Sequence, residues 1–144
     1  MRFWEISETG QMRTIAIFAF VVLTSLGAVA LRGAQAQQPG ITRTDLQQHD
    51  LSVRGREVVQ VRVDFAPGAT AARHSHPGEE IVYALEGALE YRLDGKPPVT
   101  LKPGEVLFIP AGAIHAVANV GAGGAAELAT YVVEKGKPLV VPAK

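Results

Sequence analysis

"RHSHPGEEIVYALEG", Arg73 to Gly87, is the stretch on which the reading of this chain turns. It holds two histidines one residue apart, a Pro-Gly corner, two adjacent glutamates and an apolar run that closes on glycine. Side chains at i and i+2 of a strand point to the same face, so His74 and His76 are expected to project together. Pro77-Gly78 bends the chain and lets Glu80 return toward the same volume. Glu79 has the opposite phase and is expected to face solvent.

Working outward, the surrounding pattern is that of strands. "REVVQVRVDF" (Arg56 to Phe65) alternates, with Val59, Val61, Val63 and Phe65 on one face and Gln60, Arg62 and Asp64 on the other. "EIVYALEG", "ALEYRLDG", "PPVTLKPG", "EVLFIPAGAIHAVANVG" and "AAELATYVVEKG" follow, strand-sized and punctuated by glycine or proline. No segment sustains helical periodicity. Short strands at such regular spacing predict one antiparallel all-β sandwich or barrel over 56–144. Before it, 37–55 reads as a linker and an N-terminal arm, because Ile41 to Ser52 shows little periodicity.

A fourth donor for the opening cluster has to come from another strand. Beyond His74 and His76 the chain has only His49 and His115. His115 stands in "PAGAIHAVAN", inside an apolar strand where an imidazole without a partner is costly to bury. His49, in polar "QQHD", is expected to be solvated. Three neutral imidazoles (His74, His76, His115) and the Glu80 carboxylate form a mixed nitrogen and oxygen set suited to one divalent first-row metal: Fe, Mn, Ni, Cu or Zn. The carboxylate leaves such a site with a net charge of +1, and open coordination positions would admit a small-molecule substrate. Glu80 is also a candidate base. Tyr83, Tyr91, Tyr131, Arg62 and Arg73 are candidate contacts around the site. No Ser-His-Asp arrangement, phosphate-cradling loop or paired-acid site stands out.

At these residues the chain resembles the cupins, in particular small single-domain proteins of the second cupin type. Their first motif, G-x5-H-x-H-x3–4-E-x6-G, is matched by Gly68, His74, His76, Glu80 and Gly87. Their second, G-x5-P-x-G-x2-H-x3-N, is matched by Gly104, Pro110, Gly112, His115 and Asn119. The resemblance implies a jelly-roll β-barrel with the four ligands inside it. It also implies metal-dependent chemistry on a small organic molecule: dioxygenase-like oxidation first, enediol isomerase or lyase chemistry second. A non-catalytic metal- or ligand-binding, sensing barrel is the alternative. Asn119 matches the motif but is expected to bond backbone at a strand end rather than bind metal.

The N-terminus reads as an address. "IAIFAFVVLTSLGAVAL" (Ile15 to Leu31) is uncharged and apolar, follows Arg13, and precedes Ala34 and Ala36, the small residues of a secretory cleavage site. A signal peptide over 1–36, cleaved after Ala36, is therefore expected, with Met12 as an alternative start and a periplasmic or secreted destination. A membrane anchor formed by 15–31 is the alternative, and it would be the sole membrane contact. The whole chain carries 14 basic and 14 acidic residues, without a basic stripe, so electrostatic attraction to nucleic acid is not expected. With no cysteine there are no disulfides, thiolate metal sites or thiol catalysis. The small core predicts self-association as a homodimer.

Overall fold

Alternation places Val61, Val63 and Phe65 in the interior, and strands in register beside them do the same. The structure, a computed structural model, describes residues 38–144. The expected signal peptide over 1–36, the cleavage site after Ala36 and the alternative anchor over 15–31 lie outside the described residues. Ten strands follow in order: β1 (Ile41–Asp50), β2 (Arg56–Phe65), β3 (Thr70–Ser75), β4 (Gly78–Glu86), β5 (Leu89–Leu93), β6 (Val99–Leu101), β7 (Val106–Ile109), β8 (His115–Asn119), β9 (Ala125–Glu134) and β10 (Val141–Pro142). They form two five-stranded sheets, β1-β2-β9-β4-β7 and β10-β3-β8-β5-β6, and every pairing is antiparallel. Among the described residues no helix is long and apolar enough to cross a membrane.

One core unites the inner faces of both sheets. Val61, Val63, Phe65, Val82, Ala84 and Ala129 come from the first, and Leu89, Tyr91, Leu93, Leu101 and Val117 from the second. The stretch read as linker and arm holds a full strand, so the β structure starts at Ile41 and not at Arg56. β1 pairs with β2 almost throughout, from Ile41↔Phe65 to Asp50↔Glu57. Its lack of periodicity has a physical reason: β1 is an edge strand, mostly exposed, and only Ile41 is fully buried. A strand with so little buried face gives no alternating apolar signal.

The opening stretch joins the two sheets. β3 belongs to the second sheet and β4 to the first, so the chain changes layer at His76 and Pro77. Gly78 makes the crossing feasible. A Cβ there would stand 2.1 Å from the Val132 carbonyl oxygen, so only glycine lets β4 lie against β9 at this point. At the far end of β4, Gly87 has φ +71°, and a Cβ on it would meet that of Ala125 at 2.6 Å. Both glycines fix where β4, and Glu80 with it, can lie.

Candidate metal centre

His74 lies on β3, directly opposite His115 on β8. His76 follows β3 at the crossover, and Glu80 sits on β4 with its side chain turned inward between Ile109 of β7 and Tyr131 of β9. The two sheets thus bring all four sequence-predicted residues to one volume. One ring nitrogen from each of the three histidines can be chosen so that all lie within 4.8 Å of one another. The Glu80 carboxylate approaches two of them, with Oε2 at 3.1 Å from His76 Nε2 and 3.3 Å from His115 Nε2. His76, Glu80 and His115 are buried, and His74 is half-buried.

The hydrogen bonds around the rings determine where their protons are. His74 Nδ1 contacts the Ala72 carbonyl at 2.7 Å, His76 Nδ1 the Leu139 carbonyl at 2.7 Å, and His115 Nδ1 the Ala113 carbonyl at 3.0 Å. A carbonyl oxygen only accepts, so each Nδ1 must carry the hydrogen, and in a neutral imidazole Nε2 is then a bare lone pair. His76 Nε2 and Glu80 Oε2 are both buried, close, and without a hydrogen-bond partner. Acceptor faces acceptor there, an arrangement that is costly unless a cation lies between them. Backbone carbonyls holding Nδ1–H while Nε2 points into a shared volume are the usual outer support of metal-binding histidines. The donor set fits a divalent metal on that ground.

The electrostatics agree. Burial, only partly opposed by the Ala72 carbonyl, lowers His74 to about 4, so its lone pair is free at neutral pH. Burial raises Glu80, and the opposing pull of His115 and His76 needs a positive charge or a hydrogen at Nε2; with bare Nε2 lone pairs, a cation in the shared volume has to supply it. The ring centroids of His74 and His115 are 4.3 Å apart, and His76 lies 4.9 Å from His74.

Of the other candidates, Tyr131 packs on His76 at 4.7 Å between centroids, and the Tyr91 ring lies 6.4 Å from that of His115. Tyr83 is exposed, while Arg62 and Arg73 form surface ion pairs with Asp64 and Glu86 and with Asp94. His49 is exposed, and Glu79 faces outward opposite Val132. Asn119 holds backbone: its Nδ2 lies 2.8–3.2 Å from the carbonyls of Gly123, Ala66 and Phe65, and its Oδ1 accepts from Gly121 N–H at 2.9 Å.

Two interior residues were not anticipated, Glu127 and Arg43. Glu127 is buried on β9 and accepts a hydrogen bond from the Tyr91 hydroxyl. Burial pushes it up to about 8, against the pull of that hydrogen bond. In "AAELATYVV" it shares the inward phase of Ala129, Tyr131 and Val133, and that phase was the available signal. Arg43, on β1, holds its guanidinium carbon 5.8 Å from the centroid of the Tyr131 ring.

Residues 61–134, about half of the chain, match the family model described as a cupin domain. A germin-like protein 1-1 of Oryza sativa subsp. japonica is 38% identical over 82 residues, which are 51% of this chain and 37% of that protein. An oxalate-binding protein of Thermotoga maritima is 38% identical over 61 residues, 42% of this chain and 50% of the relative. The chain spans less than half the length of the germin-like relatives that it matches. Among solved structures, a recombinant oxalate oxidase in complex with glycolate superimposes with a TM-score of 0.58 at 29% identity, covering 72% of this chain and 55% of the other.

Proposed function

This chain belongs to the cupin domain family, and from that premise we propose that His74, His76, His115 and Glu80 hold one divalent metal at which a small organic molecule is bound and transformed. The observation that carries the reading is the convergence of Nε2 lone pairs on a carboxylate, with each Nδ1 hydrogen already committed to a backbone carbonyl. When bound, such a metal supplies Lewis-acid stabilisation of negative charge on substrate oxygen. The chain's own residues do the rest. The three carbonyls fix the tautomers and aim the rings. Tyr131 packs on His76 and helps to hold water away from it. Glu80 would serve as the base for a substrate proton only on leaving the metal.

Dioxygenase-like oxidation is the first assignment and enediol isomerase or lyase chemistry the second. The oxidase among the similar structures supports the first, and its partial coverage makes it support by analogy. A binding barrel without turnover is the alternative, favoured by the likeness to an oxalate-binding protein. Export after cleavage at Ala36 and a homodimer belong to the same proposal. For the dimer, Ile81, Tyr83, Val106 and Phe108 make an exposed apolar strip on the outer face of β4 and β7, which a second copy would cover.

Elemental analysis of the protein purified without chelator tests the metal reading, with near-stoichiometric Fe, Mn, Ni, Cu or Zn expected. Glu80→Gln should weaken retention at least as much as the roughly 10–100-fold that loss of an outer support costs. Full retention in this variant would remove Glu80 from the ligand set. Metal-bound wild-type protein that binds small organic acids but turns none over would favour the binding barrel.

A further inference from the structure

Arg43 differs from the arginines whose partners lie at the surface. Arg62 pairs with Asp64 and Glu86, Arg73 with Asp94, and Arg92 with Glu90. Arg43 shares the inward phase of buried Ile41 and lies opposite buried Val63, so its side chain enters the interior, where it is half-buried. Its guanidinium lies over Tyr131, and Tyr131 packs on His76, so the cation is two ring contacts from the histidine cluster. Among the described residues it forms no ion pair. Of the two buried acids nearest the cluster, Glu80 faces the histidines, and Glu127, close enough to feel the Arg43 charge, accepts its hydrogen bond from the Tyr91 hydroxyl and forms no ion pair with Arg43.

A guanidinium drawn inward without an ion pair is costly, and Tyr131, through its ring and a side-chain hydrogen bond, offsets only part of that cost. What it offers is a planar fork of N–H donors that matches a carboxylate in two parallel hydrogen bonds. Charge points the same way. Three neutral imidazoles, one carboxylate and a divalent metal leave +1, and Arg43 raises the interior to +2, a field that favours an anion over a neutral molecule. We infer that Arg43 is the carboxylate-recognising residue of this interior, so that the molecule taken up is a small organic acid with one oxygen donor at the histidine cluster and its carboxylate on Arg43. This inference rests on the metal reading above and adds the substrate class and the residue that selects it.

The test is calorimetric titration of the full protein, loaded with the metal it retains on purification or, failing that, with manganese(II). Malonate serves as the acid, and imidazole as a neutral metal ligand that does not need Arg43. Arg43→Gln should weaken malonate at least tenfold while leaving imidazole binding, metal content and thermal stability near wild type. Arg43→Lys, which keeps the charge without the fork, should fall between. Unchanged malonate affinity in Arg43→Gln, parallel loss of malonate and imidazole, or no malonate binding to metal-loaded wild type would each overturn the inference and leave the metal reading standing. A wild-type protein that holds no metal and binds no imidazole defeats the metal reading itself. In that case malonate binding that still depends on Arg43 supports the anion site, and no malonate binding overturns both.

Discussion

His115 and Asn119 stand four residues apart on β8, on the same inward face, both nearly inaccessible to solvent, and they have opposite needs. Every polar atom of the Asn119 amide has a partner within the chain: Nδ2 lies against three carbonyls and Oδ1 takes the Gly121 N–H. His115 has a partner for Nδ1 only, and its Nε2 looks across 3.3 Å at the Glu80 carboxylate, which His76 Nε2 also faces. A buried group whose bonds close within the chain is structural. A buried group whose lone pair meets other lone pairs requires something the chain does not contain. One strand therefore carries a lock at one end and a socket at the other.

Removing each side chain in turn should separate the two ends of β8. His115→Ala should produce the largest effect, lowering metal affinity by more than about 100-fold, since a ligand is worth more than its outer support. Asn119→Ala should do the reverse. It leaves carbonyls of the Phe65–Ala66 and Gly123 segments without their donor, costing on the order of 2–3 kcal/mol in chemical denaturation, with metal content unchanged. If Asn119→Ala also lost the metal, the two ends would not be independent.

Glu127 sharpens the contrast through pH. Burial holds its pKa at about 8 rather than the ordinary 4.5, so the folded chain keeps a proton that the unfolded chain gives up. The stability it contributes is fully present below about 4.5 and is lost as pH rises through about 8. Glu127→Gln removes the ionisation and keeps an acceptor for Tyr91. Melting curves of the two proteins should then lie within about 1 kcal/mol of each other at pH 5 and diverge by pH 8.5, with the variant more stable by on the order of 4 kcal/mol. Equal melting temperatures at both pH values would show that Glu127 does not carry this proton. The smallest effect belongs to exposed His49, where alanine should change stability by less than about 0.5 kcal/mol and leave the metal content alone.

What the sequence disclosed follows the same division. Strands with one buried face, such as β2, announced themselves by alternation. β1 did not, because its exposed edge position asks for no apolar phase, and Arg43 was hidden with it. The meeting of His74, His76, Glu80 and His115 was legible because two short segments carry the donors and the turns that aim them. The commitment of each Nδ1 to a carbonyl was not, since Leu139, which accepts from His76, lies 63 residues further along the chain. Glu127 stood in the inward phase of β9, but its partner Tyr91 is on the opposite sheet, and no local pattern joins them.

Where a metal lies and which nitrogens face it decide whether these four residues form a metal centre. The most direct measurement is anomalous diffraction from crystals of the wild-type protein, recorded at the absorption edge of whichever metal elemental analysis finds. One peak is expected about 2.0–2.2 Å from Nε2 of His74, His76 and His115 and from a carboxylate oxygen of Glu80. A peak elsewhere, one bound through Nδ1, or an empty map around these four residues would contradict that placement.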